Sequence, residues 1–180
     1  MLRIIDITSP DINNGIGIRG TIWVAGCKHH CKGCHNAWTW KYDQGKVFEK
    51  HRAEIIEELE NIFDQDHIVG LTLSGGDPLY QDDSALYELS TILEWFRYKY
   101  PNKTIWIYSG FTIEELLAKK NKHINKILQN TDVLIDGKFD IDKRDIAKCA
   151  FRGSTNQRII DVKKYFAGED FLITEYDEKQ

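Results

Sequence analysis

The chain has 180 residues, 42% of them hydrophobic and 12% aromatic, and a formal net charge of −4. That length fits one domain spanning 1–180, and that hydrophobic content excludes a disordered chain. The acidic balance argues against nucleic acid or an anionic membrane as partner, and no apolar run reaches the ~18 residues that span a bilayer. Residues 1–6 lack a basic stretch followed by an apolar one, so the expected location is cytoplasmic. Thiols stay reduced there, and a tight cysteine cluster points to metal or catalysis rather than disulfides.

A weak strand pattern at 4–6 precedes a stronger one at 21–25. Residues 54–63 then place Ile55, Ile56, Leu59, Ile62 and Phe63 on one helical face. A strand is expected at 68–73. The next helix, 84–100, carries Leu86, Leu89, Ile92, Leu93 and Phe96 on one face and stops at Pro101. Residues 104–108 read as a strand. Residues 112–128 read as one helix opening on Thr112 and Glu115, the spacing of a capping box. Strands follow at 132–136 and 158–161, and a charged, peripheral tail occupies 162–180, with 171–174 as a further short strand. Lys119, Lys120, Lys122 and Lys126, like Arg97, Lys99 and Lys103, read as solvated charge, with a docking patch for a protein partner as the alternative. Strand and helix alternating at this spacing predict right-handed βαβ units and a parallel sheet. Since 180 residues fall short of the about 250 that eight such units need, the expected fold is α/β, an incomplete TIM-type barrel of parallel βα units.

The loop after the 21–25 strand, residues 26–36, carries the chemistry. Cys27, Cys31 and Cys34 follow the spacing C-x3-C-x2-C. So short a loop wraps one small inorganic centre and cannot pair three thiols as disulfides. Cysteine thiolates hold iron–sulfur clusters, commonly four to a 4Fe–4S cube, so three local ligands leave one iron open to a substrate. A structural zinc site, with His29, His30 or His35 as fourth ligand, is an alternative, although zinc motifs usually split into two pairs. An electron-transfer cluster with Cys149 as fourth ligand is another. The histidines receive no metal role, and Trp38 and Trp40 read as packing or as a lid.

The second motif is Ser74-Gly75-Gly76-Asp77-Pro78, where the 68–73 strand runs into a turn. Two glycines let backbone approach a ligand closely. Parallel α/β sheets bind ligands at the carboxyl ends of their strands, where both motifs emerge. The turn lacks the Lys-Ser/Thr of a phosphate loop. Beside the cysteine loop it reads as a floor for a zwitterion with an ammonium group.

Together the two motifs resemble the radical S-adenosylmethionine superfamily. The lead-in Gly15-Ile16-Gly17-Ile18-Arg19 and the trailing Cys34-His35-Asn36 are similar to its glycyl-radical-activating branch. Residues 132–139 and the 151–161 segment, with Phe151-Arg152-Gly153-Ser154 at its start, resemble the activating proteins of anaerobic ribonucleoside-triphosphate reductases. Phe151 stands where that family usually has Trp. The resemblance implies a radical S-adenosylmethionine core and one 4Fe–4S cluster on Cys27, Cys31 and Cys34. It implies S-adenosylmethionine on the open iron, its amino group met by residues 74–78, and Asn36, Asp136 and Lys138 as further cofactor contacts. Reductive cleavage would give methionine and a 5′-deoxyadenosyl radical, which takes a hydrogen from a glycine of the reductase large subunit. A flavodoxin-like donor would supply the electron. Activation of another glycyl-radical enzyme is the alternative within the same chemistry.

Overall fold

A computed structural model describes residues 1–175 as one seven-stranded sheet with helices packed on it. The strands are β1 (Arg3–Asp11), β2 (Ile18–Val24), β3 (Lys46–Val47), β4 (Ile68–Gly75), β5 (Thr104–Tyr108), β6 (Val133–Asp136) and β7 (Arg158–Asp161). The helices are α1 (Arg52–Phe63), α2 (Asp83–Lys99), α3 (Ile113–Ala118), α4 (Lys122–Asn130) and α5 (Val162–Ala167). The sheet order is β3-β1-β2-β4-β5-β6-β7.

The four central strands, β2, β4, β5 and β6, run parallel. The outer three do not, which corrects the expectation of a wholly parallel sheet. Only residues 12–17 join β1 to β2, too few for a crossover, so the pair forms antiparallel with Thr8 opposite Thr21. Between β6 and β7 only a short 3-10 turn (Ile141–Lys143) breaks the connection, and β7 returns antiparallel with Val133 opposite Asp161. β3, only two residues long, pairs with β1. Leu172 makes an isolated bridge to Ile160, within the segment expected to be a strand. Residues 176–180 of the expected tail lie outside the described residues.

The predicted 112–128 helix is two helices. The capping box forms, with Thr112 Oγ1 accepting from Glu115 N and Glu115 Oε2 accepting from Thr112 N at 2.8 Å. The chain then breaks at Lys120, whose φ of 50° is left-handed. Asn121 Oδ1 accepts from His123 N (2.8 Å) and Ile124 N (3.1 Å), so a local cap starts α4 afresh.

Side-chain alternation divides the sheet. One face carries Ile22, Val24, Leu71, Leu73, Ile105, Ile107, Leu134 and Ile160, all buried in one core with residues from all five helices. The other face carries Thr21, Trp23, Thr72, Ser74, Trp106, Tyr108, Ile135 and Ile159, which is more polar and more aromatic. There Trp106, Val133, Ile135 and Ile159 form a second cluster with Phe151 and Ile173. The site lies on that second face. No helix among the described residues is long and apolar enough to cross a membrane.

Candidate functional site

Each central parallel strand delivers a loop to the same end of the sheet. β2 leads into the cysteine loop, β4 into the Ser74–Asp77 turn, β5 into Ser109-Gly110, and β6 into Gly137. All four loops line one cavity of about 590 Å³.

Cys27, Cys31 and Cys34 all line it, and so does Cys149, reaching in from the 137–157 connection. The four cysteines are free thiols, Cys27 buried and the others half-buried. Three backbone bonds close the cysteine loop: Gly26 N to Thr39 O (2.8 Å), Cys27 N to Trp40 O (3.0 Å) and Cys34 N to Cys31 O (3.1 Å). Burial pushes the Cys27 thiol up to about 11, against a backbone hydrogen bond from His29 that acts the other way. Burial raises Cys31 too, opposed by the Phe139 backbone and the nearby positive charge of Lys138. Both thiols therefore hold their protons at neutral pH without metal.

Ser74, Gly75, Gly76 and Asp77 line the cavity, and Pro78 is buried just beyond it. The β2–β4 ladder continues into this turn. Gly76 N donates to Val24 O (2.8 Å) and Asp77 N to Gly26 O (2.9 Å), so the two motifs are hydrogen-bonded to each other. A Cβ at Gly76 would overlap the Gly26 backbone, and Gly75 has a φ of 102°. Both positions need glycine. With those N–H groups consumed, the turn has carbonyl oxygens to offer a ligand, acceptors suited to an ammonium group.

The Asp77 side chain is fully engaged. Its carboxyl group accepts from His29 Nε2 (2.8 Å), Ser109 Oγ (3.1 Å), Gly110 N (2.9 Å) and Leu79 N (2.8 Å). Gln81 Nε2 adds a second tie, donating to Ala25 O, Gly26 O and Asp77 O at 2.8–3.2 Å. Neither His29 nor Gln81 has a site role in the sequence reading. A glutamine six residues past a strand carries no signal of its own, whereas a histidine between two cysteines is visible but uninformative.

Asn36 lines the cavity, and its carbonyl accepts from Thr39 N and Oγ1, which shapes the loop. The Asp136–Lys138 pair is split. Asp136 is wholly buried and is not among the lining residues. Its carboxyl accepts from Arg158 Nε (2.9 Å), from an Arg158 terminal nitrogen (2.5 Å) and from Ile113 N (2.8 Å). Lys138 is exposed, beside Cys31. The 151–161 segment reaches the site through Phe151, Arg152, Gly153 and Gln157. Gln157 ties this segment together, accepting from Gly153 N and donating to Gly137 O.

Residues 13–160 match the 4Fe-4S single cluster domain family. The anaerobic ribonucleoside-triphosphate reductase-activating protein of Pasteurella multocida (strain Pm70) is 40% identical over 86% of this chain and 94% of its own. Those of enterobacteria phage T4 and Escherichia coli (strain K12) are 37% and 36% identical, over 83% and 82% of this chain and 87% and 90% of theirs. The chain belongs to this activating-protein family. The resemblance read from its motifs thus holds, and the three cysteines of the first motif share one cavity with the glycine turn of the second.

Proposed function

We propose that the chain activates the anaerobic ribonucleoside-triphosphate reductase, cleaving S-adenosylmethionine at a 4Fe–4S cluster held by Cys27, Cys31 and Cys34 and leaving a glycyl radical on the large subunit. One observation carries this reading: three thiols and the glycine turn share a single cavity at the carboxyl ends of the parallel strands. The residues fit the groups. Thiolates are the donors iron–sulfur clusters take, and the cavity lies within the about 300–1,000 Å³ typical of small-molecule sites. Among the described residues no three His, Cys, Asp or Glu side chains are arranged around a single ion. When bound, the reduced cluster supplies the electron that breaks the sulfonium C–S bond, and the adenosyl fragment takes the glycine hydrogen.

The chain's own part is positioning. Residues 74–78 present carbonyls to the cofactor's amino group, and Lys138, beside Cys31, offers a cation to its carboxylate. Asn36 contributes through the loop wall. Asp136 serves the site by fixing the β6 end against Arg158 and α3, not by touching the cofactor. A low-potential, flavodoxin-like protein is the proposed electron donor. Successive parallel strands in chain order, with all helices on one face, support a partial TIM-type barrel curled around the cavity.

Cys149 in the same cavity supports a second reading, a four-cysteine cluster that carries electrons without cleaving the cofactor. Anaerobic reconstitution with iron and sulfide, reduction with dithionite and addition of S-adenosylmethionine separate the two. The activase reading expects 5′-deoxyadenosine from the wild type and from Cys149→Ser, and none from Cys27→Ala. A reduced, intact cluster that makes none, even with the reductase present, overturns it.

A further inference from the structure

Outside the three cysteines, the most heavily built part of the site is the contact between His29 and Asp77. Both side chains are almost wholly buried, 4% and 2% exposed, and Nε2 lies 2.8 Å from Oδ2. The histidine ring fills a slot between Tyr80 (centroids 4.9 Å apart) and Phe111 (4.5 Å, edge-on). Lys119 roofs the slot, its ammonium 3.3 Å from the Phe111 ring centre. A Cβ on Gly110 would overlap the imidazole, so the backbone at the end of β5 leaves room for this ring.

We propose that His29 is a positioning residue: through Asp77 it locks the cysteine loop to the glycine turn, and so sets the distance between the cluster and the S-adenosylmethionine amino group. This rests on the function proposed above. Among the described residues, the other hydrogen bonds between the cysteine loop and the turn are made at its first residue, Gly26 O, by Asp77 N and through Gln81. His29 lies between the first two cysteines and reaches across 48 residues to the turn. Asp77 passes the restraint on, since the same carboxyl holds Leu79 N within the turn and Gly110 N and Ser109 Oγ beyond β5. With all of its bonding directed into the protein, this carboxyl is a strut and the cofactor is left to the backbone. A chelating ligand anchored on the cluster at one end and on the turn at the other tolerates little error in that spacing.

The test separates the hydrogen bond from simple filling of the slot. His29→Gln keeps a donor near the Nε2 position, His29→Phe keeps an aromatic ring without one, and Asp77→Asn keeps the shape of the strut. Each variant is reconstituted beside the wild type, with iron and sulfide counted. Hydrogen exchange is followed at the amides of Leu79 and Gly110, and the cofactor Kd is read from the change S-adenosylmethionine causes in the reduced cluster's paramagnetic resonance signal. Expected are near-native iron in all variants and exchange at both amides faster by about tenfold or more in His29→Phe. The Kd should rise by a similar factor in His29→Phe and Asp77→Asn, with the double variant no worse than either single. His29→Gln should recover most of both losses. Equal behaviour of the Gln and Phe variants, or single effects that multiply in the double, overturns the proposal. Unchanged exchange at Leu79 and Gly110 overturns it whatever the cofactor does. Coupled exchange in a wild type whose signal ignores S-adenosylmethionine instead sinks the proposed function, and the positioning of the cofactor with it.

Discussion

Arg19 heads the largest fully buried side chains, a cation beneath the site whose hydrogen bonds among the described residues all go to hydroxyl and carbonyl oxygens. Its guanidinium donates to Thr72 Oγ1, Leu71 O, Thr104 Oγ1 and Thr104 O at 2.8–3.0 Å and to Ile16 O at 3.3 Å, and it lies 5.3 Å from the Trp106 ring centre. Burial pulls its pKa down to about 10, which still leaves it protonated at neutral pH. The planar fork lets one side chain tie the 12–17 connection to β4 and β5, which a lysine cannot reproduce. Arg19→Lys and Arg19→Met should each lower stability by on the order of 3 kcal/mol, because several buried acceptors lose their donors. Urea unfolding of the metal-free protein measures it, and a loss under about 1 kcal/mol would mean that water takes the vacated positions. Arg19 enters the sequence reading as the last residue of the 15–19 lead-in, but nothing there marks it as buried, since an arginine at the start of a strand normally faces solvent.

At the scale of elements, Asp132 at the entrance to β6 joins parts that no periodicity relates. It accepts from Arg97 of α2 (2.6 Å) and from Ile105 N of β5 (2.8 Å), and it pairs with Lys163 of α5 at 2.8 Å. Burial opposes its ionisation, but these partners together hold its pKa below the ordinary carboxylate value. The resulting stability is fully present above the unfolded pKa of about 3.9 and is lost as pH falls through the folded value. Asp132→Asn should cost about 1–3 kcal/mol at neutral pH and flatten the acid limb of a Tm-against-pH curve, read by calorimetry. An unchanged acid limb would place the acid sensitivity elsewhere. Sequence periodicity found α1, α2, β5 and β7 to within a residue or two, because each has its own apolar face or run. It missed β3, since two residues cannot express a pattern. It fused α3 and α4, because the apolar spacing continues across a break that depends on how Asn121 bonds its own backbone.

Taken whole, the molecule keeps its helical core and its chemistry on opposite faces of one sheet. The core with Leu59, Phe63, Leu89, Leu93 and Phe96 is complete without any inorganic group. Removing iron with a chelator should therefore leave the far-ultraviolet circular dichroism and a cooperative melt largely unchanged, unlike small domains that unfold without their metal. Collapse on chelation would show the cluster to be part of the fold. The cysteine spacing and the glycine turn were legible because each is a local run of residues whose chemistry does not depend on the rest of the chain. The strand directions at the sheet edges and the His29 slot were not, being decided by connection lengths and by partners 48 or more residues away.

The hydrogen bonds from Gly76 and Asp77 back to Val24 and Gly26 also dictate an order of assembly. A growing chain that has passed residue 78 already carries all three cysteines and the whole glycine turn, yet it has no Ser109 or Gly110 to hold Asp77 and no Phe111 against His29. The pocket cannot close until β5 has been made and laid beside β4. On the proposed function, loading with iron and sulfide is then expected to follow folding, offered to a finished sheet rather than to a nascent loop.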